Sequence, residues 1–324
     1  PLAGPAPSAP PHRGLDARRG RGARCGRGLC RVGAVLGGSR LGAVLVLAST
    51  VPFALSGVFT KLIGADLWTV LGWRGVIGSV LTFAYVELTR PKGPRASFGW
   101  RGWLLASVGT CASIAFLGSF RLTYVANVAL IYAMTPFAAA TFGWVLLRER
   151  VGRDVIAAAL VSCVGVGVIV WGGLGAPNIR GDAVAVVMTL LAGLYLVMIR
   201  AFTGTPVVLA GVASSLQLLV ISFAVADPFA ISARDLAWTA LFGLSYAAGF
   251  ILWSEGARRV PAAEAGLLGG AETPVAVGFA WLFLSELPPA ATMLGGAVVL
   301  AAVLGQAVWA ARASMRGTLS SSAR

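Results

Sequence analysis

Apolar residues run along this chain in blocks of about twenty, the length a helix needs to cross a bilayer core. Ten blocks follow one another almost without pause, at 41–63, 67–88, 103–124, 126–147, 155–173, 183–202, 207–226, 236–254, 262–284 and 290–311. Strands of a membrane barrel would be about half as long and would alternate in polarity. In lipid no water satisfies a free backbone amide, so runs of this kind close their hydrogen bonds within a helix. The expected fold class is all-α, a polytopic membrane protein with ten transmembrane helices.

The blocks also repeat. Ala126 to Glu149 reads ANVALIYAMTPFAAATFGWVLLRE and Glu264 to Glu286 reads EAGLLGGAETPVAVGFAWLFLSE, with Pro136 standing where Pro274 stands. Glu149 follows its proline by 13 residues and Glu286 follows by 12. Lys61 and Arg200, 139 residues apart, close the first and sixth blocks in the same way. Ten spans then divide as five plus five, and an odd number per repeat makes the second copy enter from the opposite side. Inverted repeats of this sort place a solute site near the midplane between them. The resulting organisation is a basic, disordered tail at 1–40, a first repeat at 41–173, a linker at 174–182, a second repeat at 183–311 and a cytoplasmic C-terminal tail at 312–324.

Composition agrees with the pattern. The chain is 57% hydrophobic and 12% charged, with mean hydropathy +0.83, where a soluble domain has about 25% charged residues. Its net charge of +14 reads as topology. The eight arginines of the tail precede the first span, where basic residues anchor orientation and touch anionic lipid; no nucleic-acid partner is expected. Beyond the tail, thirteen Lys and Arg fall on one side of the spans and four on the other. The positive-inside rule then puts both termini in the cytoplasm. The run beginning at Leu41 continues for a full span without a clear small-residue cleavage site, which argues for a span there and against a cleaved signal.

Each repeat ends in an apolar helix containing Pro, a run to Glu at the membrane edge, and a Gly-rich helix: VGRDVIAAALVSCVGVGVIVWGG in the first copy and LPPAATMLGGAVVLAAVLGQAVW in the second. With Phe53 to Lys61 (FALSGVFTK), Arg74 in the second span and Glu272-Thr273-Pro274 in the ninth, the chain resembles the EamA domain of the drug/metabolite transporter superfamily over roughly 41–311. The resemblance implies a ten-span carrier with inside termini, in the bacterial inner (plasma) membrane, moving small organic solutes such as amino acids, usually outward.

Few polar residues interrupt the spans. Glu272 costs about 2.5 to 3.5 kcal/mol at a helix centre on insertion scales, so it should face a cavity or a partner, binding a substrate amine or carrying a coupling proton. Arg74 has a guanidinium that can take a substrate carboxylate in a two-pronged contact or pair with an acid of the protein. Together the two would match a zwitterion. Trp73 beside Arg74 can wall a cavity; Asn127, Tyr132, Gln217 and Tyr246 are candidates for solute contact, and interhelical hydrogen bonding explains such residues equally. Glu264 is a second candidate for proton handling. Pro136 and Pro274 lack the amide that continues a helix, and the carbonyl four residues before Pro274, at Gly270, should be freed to line a cavity. Glu149 and Glu286 end their spans and suit structural partners for cations or backbone groups.

Enzyme readings find little to work with. The one histidine, His12, lies in the tail, Cys111 and Cys163 stand singly in spans, and no phosphate-binding G-x-x-x-x-G-K-[ST] occurs. No metal, cofactor or catalytic residue is expected. An intramembrane transferase, or a scaffold that transports nothing, are the alternatives. The reading is a secondary transporter that exports a small polar metabolite by rocking of its two halves. Its partners are that solute, the lipid bilayer and a coupling proton, with a homodimer left open.

Overall fold

The computed structural model describes residues 25–89, 98–172, 179–257, 259–260 and 268–322. Its elements are α1 (Cys25–Leu62), α2 (Leu67–Thr89), α3 (Gly99–Leu122), α4 (Val125–Tyr132), α5 (Thr135–Leu147), α6 (Arg153–Gly172), α7 (Ile179–Ala201), α8 (Val207–Val225), α9 (Ala233–Ala257), α10 (Glu272–Leu284) and α11 (Ala290–Ser322). No strand occurs among the described residues. Among the described residues nine stretches are long and apolar enough to span a bilayer, α4 and α5 together forming one of them, and α10 is a shorter apolar helix.

Element ends depart from expectation at three places. The first helix starts at Cys25, so 25–40 is helical where a disordered tail was expected, and residues 1–24 lie outside the description. The last helix runs on to Ser322, and α7 begins at Ile179, inside the expected linker. Once a turn exists, each added residue gains a hydrogen bond without a new nucleation cost, so helices outrun their apolar segments.

The two halves are interleaved. α1 packs on α9 and α10, and the mirrored contacts of α7 fall on α3 and α5. α2 meets α8 and α9, α8 meets α2 and α3, and α6 pairs with α11. Every one of these contacts joins a first-half helix to a second-half one, and exchange of the repeats maps the set onto itself. Two mixed groups of helices result: α1 with α9 and α10, and α7 with α3 and α5.

Small residues set the close approaches. A Cβ on Gly165 of α6 would lie 2.7 Å from the Gly295 carbonyl oxygen of α11, so the two backbones touch at this crossing. Gly42 and Gly181 repeat the device near the starts of their spans: a Cβ would stand 2.7 Å from Cβ of Arg259 in one case and 2.6 Å from Cβ of Thr123 in the other.

The half-helices α5 and α10 end alike. Arg148 and Ser285 take left-handed backbone, with φ of 55° and 52°. Directly after them, the Glu149 amide donates to the Gly143 carbonyl and the Glu286 amide to the Ala280 carbonyl. This turn throws each glutamate back against the neighbouring helix end. Glu286 pairs with Lys61 at 3.2 Å and Glu149 with Arg200 at 3.3 Å. Each bond crosses from one repeat to the other, so both glutamates have the cationic partners expected of them.

Gly165→Val should destabilise the protein by about 1–3 kcal/mol, because backbone cannot yield to the added atoms. Gly167, which has open space where a Cβ would stand, should accept Ala with unchanged or slightly raised stability. Thermal unfolding in detergent reads both; a Gly165→Val protein melting with the wild type would contradict the packing argument.

Candidate functional site

Both proline-bearing spans approach the centre of the bundle with a break in the helix. Between α4 and α5 the chain makes a tight turn, the Met134 amide donating to the Ile131 carbonyl at 3.1 Å. Pro136 has no amide to give the Tyr132 carbonyl, which instead accepts from the Thr135 hydroxyl at 2.6 Å. In the second repeat α10 restarts at Glu272, and the Gly270 carbonyl accepts from the Thr273 amide at 3.3 Å. The carbonyl expected to be freed by Pro274 is therefore satisfied locally, by a shorter-range bond than the helix would have used. The breaks contribute side chains to the centre: Tyr132 ends α4 and Glu272 begins α10.

Those two side chains line a small central cavity with Phe116, Phe120, Val128, Ala129, Thr273 and Ala276, drawn from α3, α4 and α10. Its volume of about 20 Å³ is room for roughly one water molecule. Glu272 is half-buried and makes no hydrogen bond or ion pair with any described residue. Tyr132 packs edge-on to Phe116, with ring centres 6.2 Å apart.

Arg74 lies deeper in the bundle, only 5% exposed. Its guanidinium carbon sits 4.9 Å from the ring centre of Tyr246 and 5.2 Å from that of Phe242. Aromatic faces attract a cation by their quadrupole, yet they neutralise none of its charge. Its Nε has no hydrogen-bond partner, and among the described residues no carboxylate lies within ion-pair distance. Arg74 and Glu272 do not meet. Tyr246 is within electrostatic reach of both Arg74 and Tyr132, and Tyr132 within reach of Glu272. Tyr195 of α7 also reaches Tyr246 electrostatically and joins this layer.

The remaining candidates are spread elsewhere. Trp73 donates its indole N–H to the Pro228 carbonyl at 2.7 Å, tying α2 to the α8–α9 loop. Gln217 faces a groove of about 420 Å³ between α3 and α8, where it accepts from Thr110 at 2.7 Å and donates to Ser107 at 3.1 Å. Glu264 lies outside the described residues. Asn127 belongs to a buried network: its amide nitrogen donates to Asp182 at 2.9 Å, and its oxygen accepts from Thr292 at 2.7 Å. Thr123 donates to the same Asp182 oxygen at 2.7 Å.

Asp182 is fully buried, and it escaped the sequence reading because it was assigned to the linker. The available signal was its place immediately ahead of a full-length apolar run. It lies in the first turn of α7, where the helix dipole favours a negative charge. Among the described residues, no group of three or more His, Cys, Asp or Glu could hold a metal ion.

This is the layout of a carrier: two broken helices meeting at the midplane, with a few polar side chains in an otherwise apolar bundle. The model of the EamA-like transporter family matches residues 40–171 and again 179–306. The chain belongs to the EamA-like transporter family. It is a multi-pass membrane transporter of the drug/metabolite type, built from two inverted EamA repeats whose limits fall close to those of the interleaved halves. A protein of known crystal structure shares the EamA-like fold at TM-score 0.61 and 17% identity, over 84% of this chain and 98% of that one. No curated protein matches the chain.

Asp182→Ala should leave Thr123 and Asn127 short of their acceptor, and each stranded donor costs about 1–3 kcal/mol. A fall in melting temperature, with the loss reduced in Asp182→Asn, is the expected result; an unchanged melt would show that the network contributes nothing to stability.

Proposed function

We propose that this EamA-like transporter exports a small metabolite carrying both a carboxylate and an amine, an amino acid or a close relative. The observation that carries the reading is Arg74, a buried guanidinium held over two aromatic rings with no acid beside it among the described residues. Burying an uncompensated cation costs several kcal/mol, and a visiting carboxylate would return that energy as binding. Glu272, which has no cationic partner among the described residues, supplies the complementary end for an amine. In this reading Tyr246 and Tyr132, each within electrostatic reach of one of the two charges, offer hydroxyls to the polar atoms of the solute. The central cavity is far too small for such a molecule, so binding requires the mixed bodies around α1 and α7 to part.

The excess of basic residues on one side of the spans supports cytoplasmic termini in a bacterial inner membrane, and in this reading the solute loads from the cytoplasm. In this scheme Glu272 also carries the counter-moving proton: it releases the proton to bind the amine and takes one up when the amine leaves.

Uptake of labelled amino acids into inside-out vesicles tests the reading. Wild type should show saturable uptake that rises when the lumen is acidic, since protons leaving the lumen exchange for entering solute. Arg74→Gln should lose at least about tenfold in uptake at low substrate, the scale of one charge-assisted hydrogen bond, and Glu272→Gln should lose the response to the gradient. Normal uptake by both variants would refute the assignment of these side chains.

A further inference from the structure

Gln217 uses only half of its hydrogen-bonding capacity inside the bundle. Its amide oxygen accepts from the Thr110 hydroxyl at 2.7 Å, and its nitrogen donates one hydrogen to Ser107 at 3.1 Å. A side-chain amide has a second hydrogen and a second lone pair, and no described residue meets either. Gln217 lies near the middle of α8, which runs from Val207 to Val225, so its depth is close to the midplane. There it faces the groove of about 420 Å³ between α3 and α8, whose rim residues Trp103, Leu216 and Val220 are exposed. Hydrocarbon outside the bundle offers the spare groups neither donor nor acceptor.

The face around that groove is complementary to itself. On α8, Leu216 and Val220 stand one turn apart and are 52% and 68% exposed, and Phe223 continues the same ridge. On α3 the wall is small in the middle, where Ser107 and Cys111 follow Trp103 at intervals of one turn. The bonds of Ser107 and Thr110 to Gln217 hold hollow and ridge at one depth. Rotation by 180° about an axis along the membrane normal leaves depth unchanged. With the axis beside the groove, it brings the ridge of one copy to the hollow of another and Gln217 to Gln217. This is the isologous contact of a closed pair, and small residues in the hollow let the backbones approach. An acyl chain would fill the hollow and leave the spare amide groups unpaired. A second copy brings an amide, donor and acceptor at once, to the depth where one is needed.

We propose that two copies of this transporter pair through the α3–α8 face, Leu216 and Val220 of each entering the hollow beside Ser107 and Cys111 of the other, with the two Gln217 amides bonded across the axis. The lining residues of the groove carry no charge, so no like charges oppose the approach of two identical faces. The pairing depends on neither the solute nor the coupling ion of the transport reading.

Energy transfer between full-length copies labelled at the C-terminus, some with donor and some with acceptor, tests the pairing in liposomes over a range of protein-to-lipid ratios. Wild type should show more transfer than randomly placed molecules, falling along a monomer–dimer curve on dilution with lipid. Gln217→Leu should weaken association about tenfold, the scale of two interhelical hydrogen bonds in lipid. Cys111→Trp fills the hollow from an exposed position; it should abolish the excess transfer, and it serves where loss of Gln217 disturbs folding. The contact itself is read by oxidising a mixture of two differently tagged chains, one keeping Cys111 alone of its four cysteines and the other keeping none but carrying Leu216→Cys. A disulfide should join the two kinds of chain, and no such product should form when Cys163 of α6 is the cysteine kept. Transfer at the random level in wild type, transfer unchanged in both Gln217→Leu and Cys111→Trp, or no disulfide through Cys111 would overturn the proposal. A wild-type monomer that retains a lipid or another amphiphile, seen by mass spectrometry, would overturn it as well.

Discussion

A backbone inside lipid must satisfy its own hydrogen bonds, and the architecture of this transporter follows from where that demand is met and where it is relaxed. Unbroken helices meet it throughout. Among the described residues the helix breaks in the middle of two spans, at Ala133–Met134 and just ahead of Glu272, where short-range bonds and the Thr135 hydroxyl replace the missing helical ones, while Pro52 withdraws one amide inside the otherwise continuous α1. At these breaks the chain can turn a polar side chain inward without leaving a carbonyl unpaired. Tyr132 and Glu272 reach the centre for this reason. The prolines act mainly by forcing the restart of α5 and α10, and the carbonyls they bypass are occupied.

Interleaving gives the breaks their mechanical meaning. With α1 on α9 and α10, and α7 on α3 and α5, each group contains the second part of one broken span, α10 or α5, and the helix that supports it, while α4 packs on both α7 and α10. Arg74 of α2 is held by Phe242 and Tyr246 of α9, while Tyr132 belongs to α4 and Glu272 to α10. Under the proposed mechanism, separation of these groups would change the spacing among the polar side chains themselves. Ends and centre are thereby coupled, since Glu286 at one face and Glu272 at the midplane bound the same thirteen-residue helix and the turn that ends it.

Much of this was legible in the amino-acid sequence, for physical reasons. Span length, the matched Pro136 and Pro274, and the matched Glu149 and Glu286 are local properties, and a bilayer leaves them one reading. The cationic partners of the two glutamates were also readable, because Lys61 and Arg200 close equivalent spans. Other features depend on which helices touch, and a periodic apolar pattern carries no partner information when every face is apolar. The interleaving was hidden for that reason. Gln217, Asn127 and Trp73 looked alike as polar or amphipathic residues in spans, yet they turn to a lateral groove, a buried network and a loop carbonyl. Asp182 was passed over because a polar linker and the polar first turn of a buried helix read the same. Residues 25–40 were read as disordered from composition, which does not register that an adjoining helix can extend into them.

The central claim is that Arg74 and Glu272 recognise the two ends of one zwitterion. Ligand-dependent thermal stability of the purified transporter tests it most directly, using a panel of amino acids beside their methyl esters and their N-acetyl forms. The account predicts that at least one free amino acid raises the melting temperature, that its ester loses the effect through Arg74, and that its N-acetyl form loses it through Glu272. Stabilisation by the ester and the N-acetyl form equal to that by the free amino acid would contradict it.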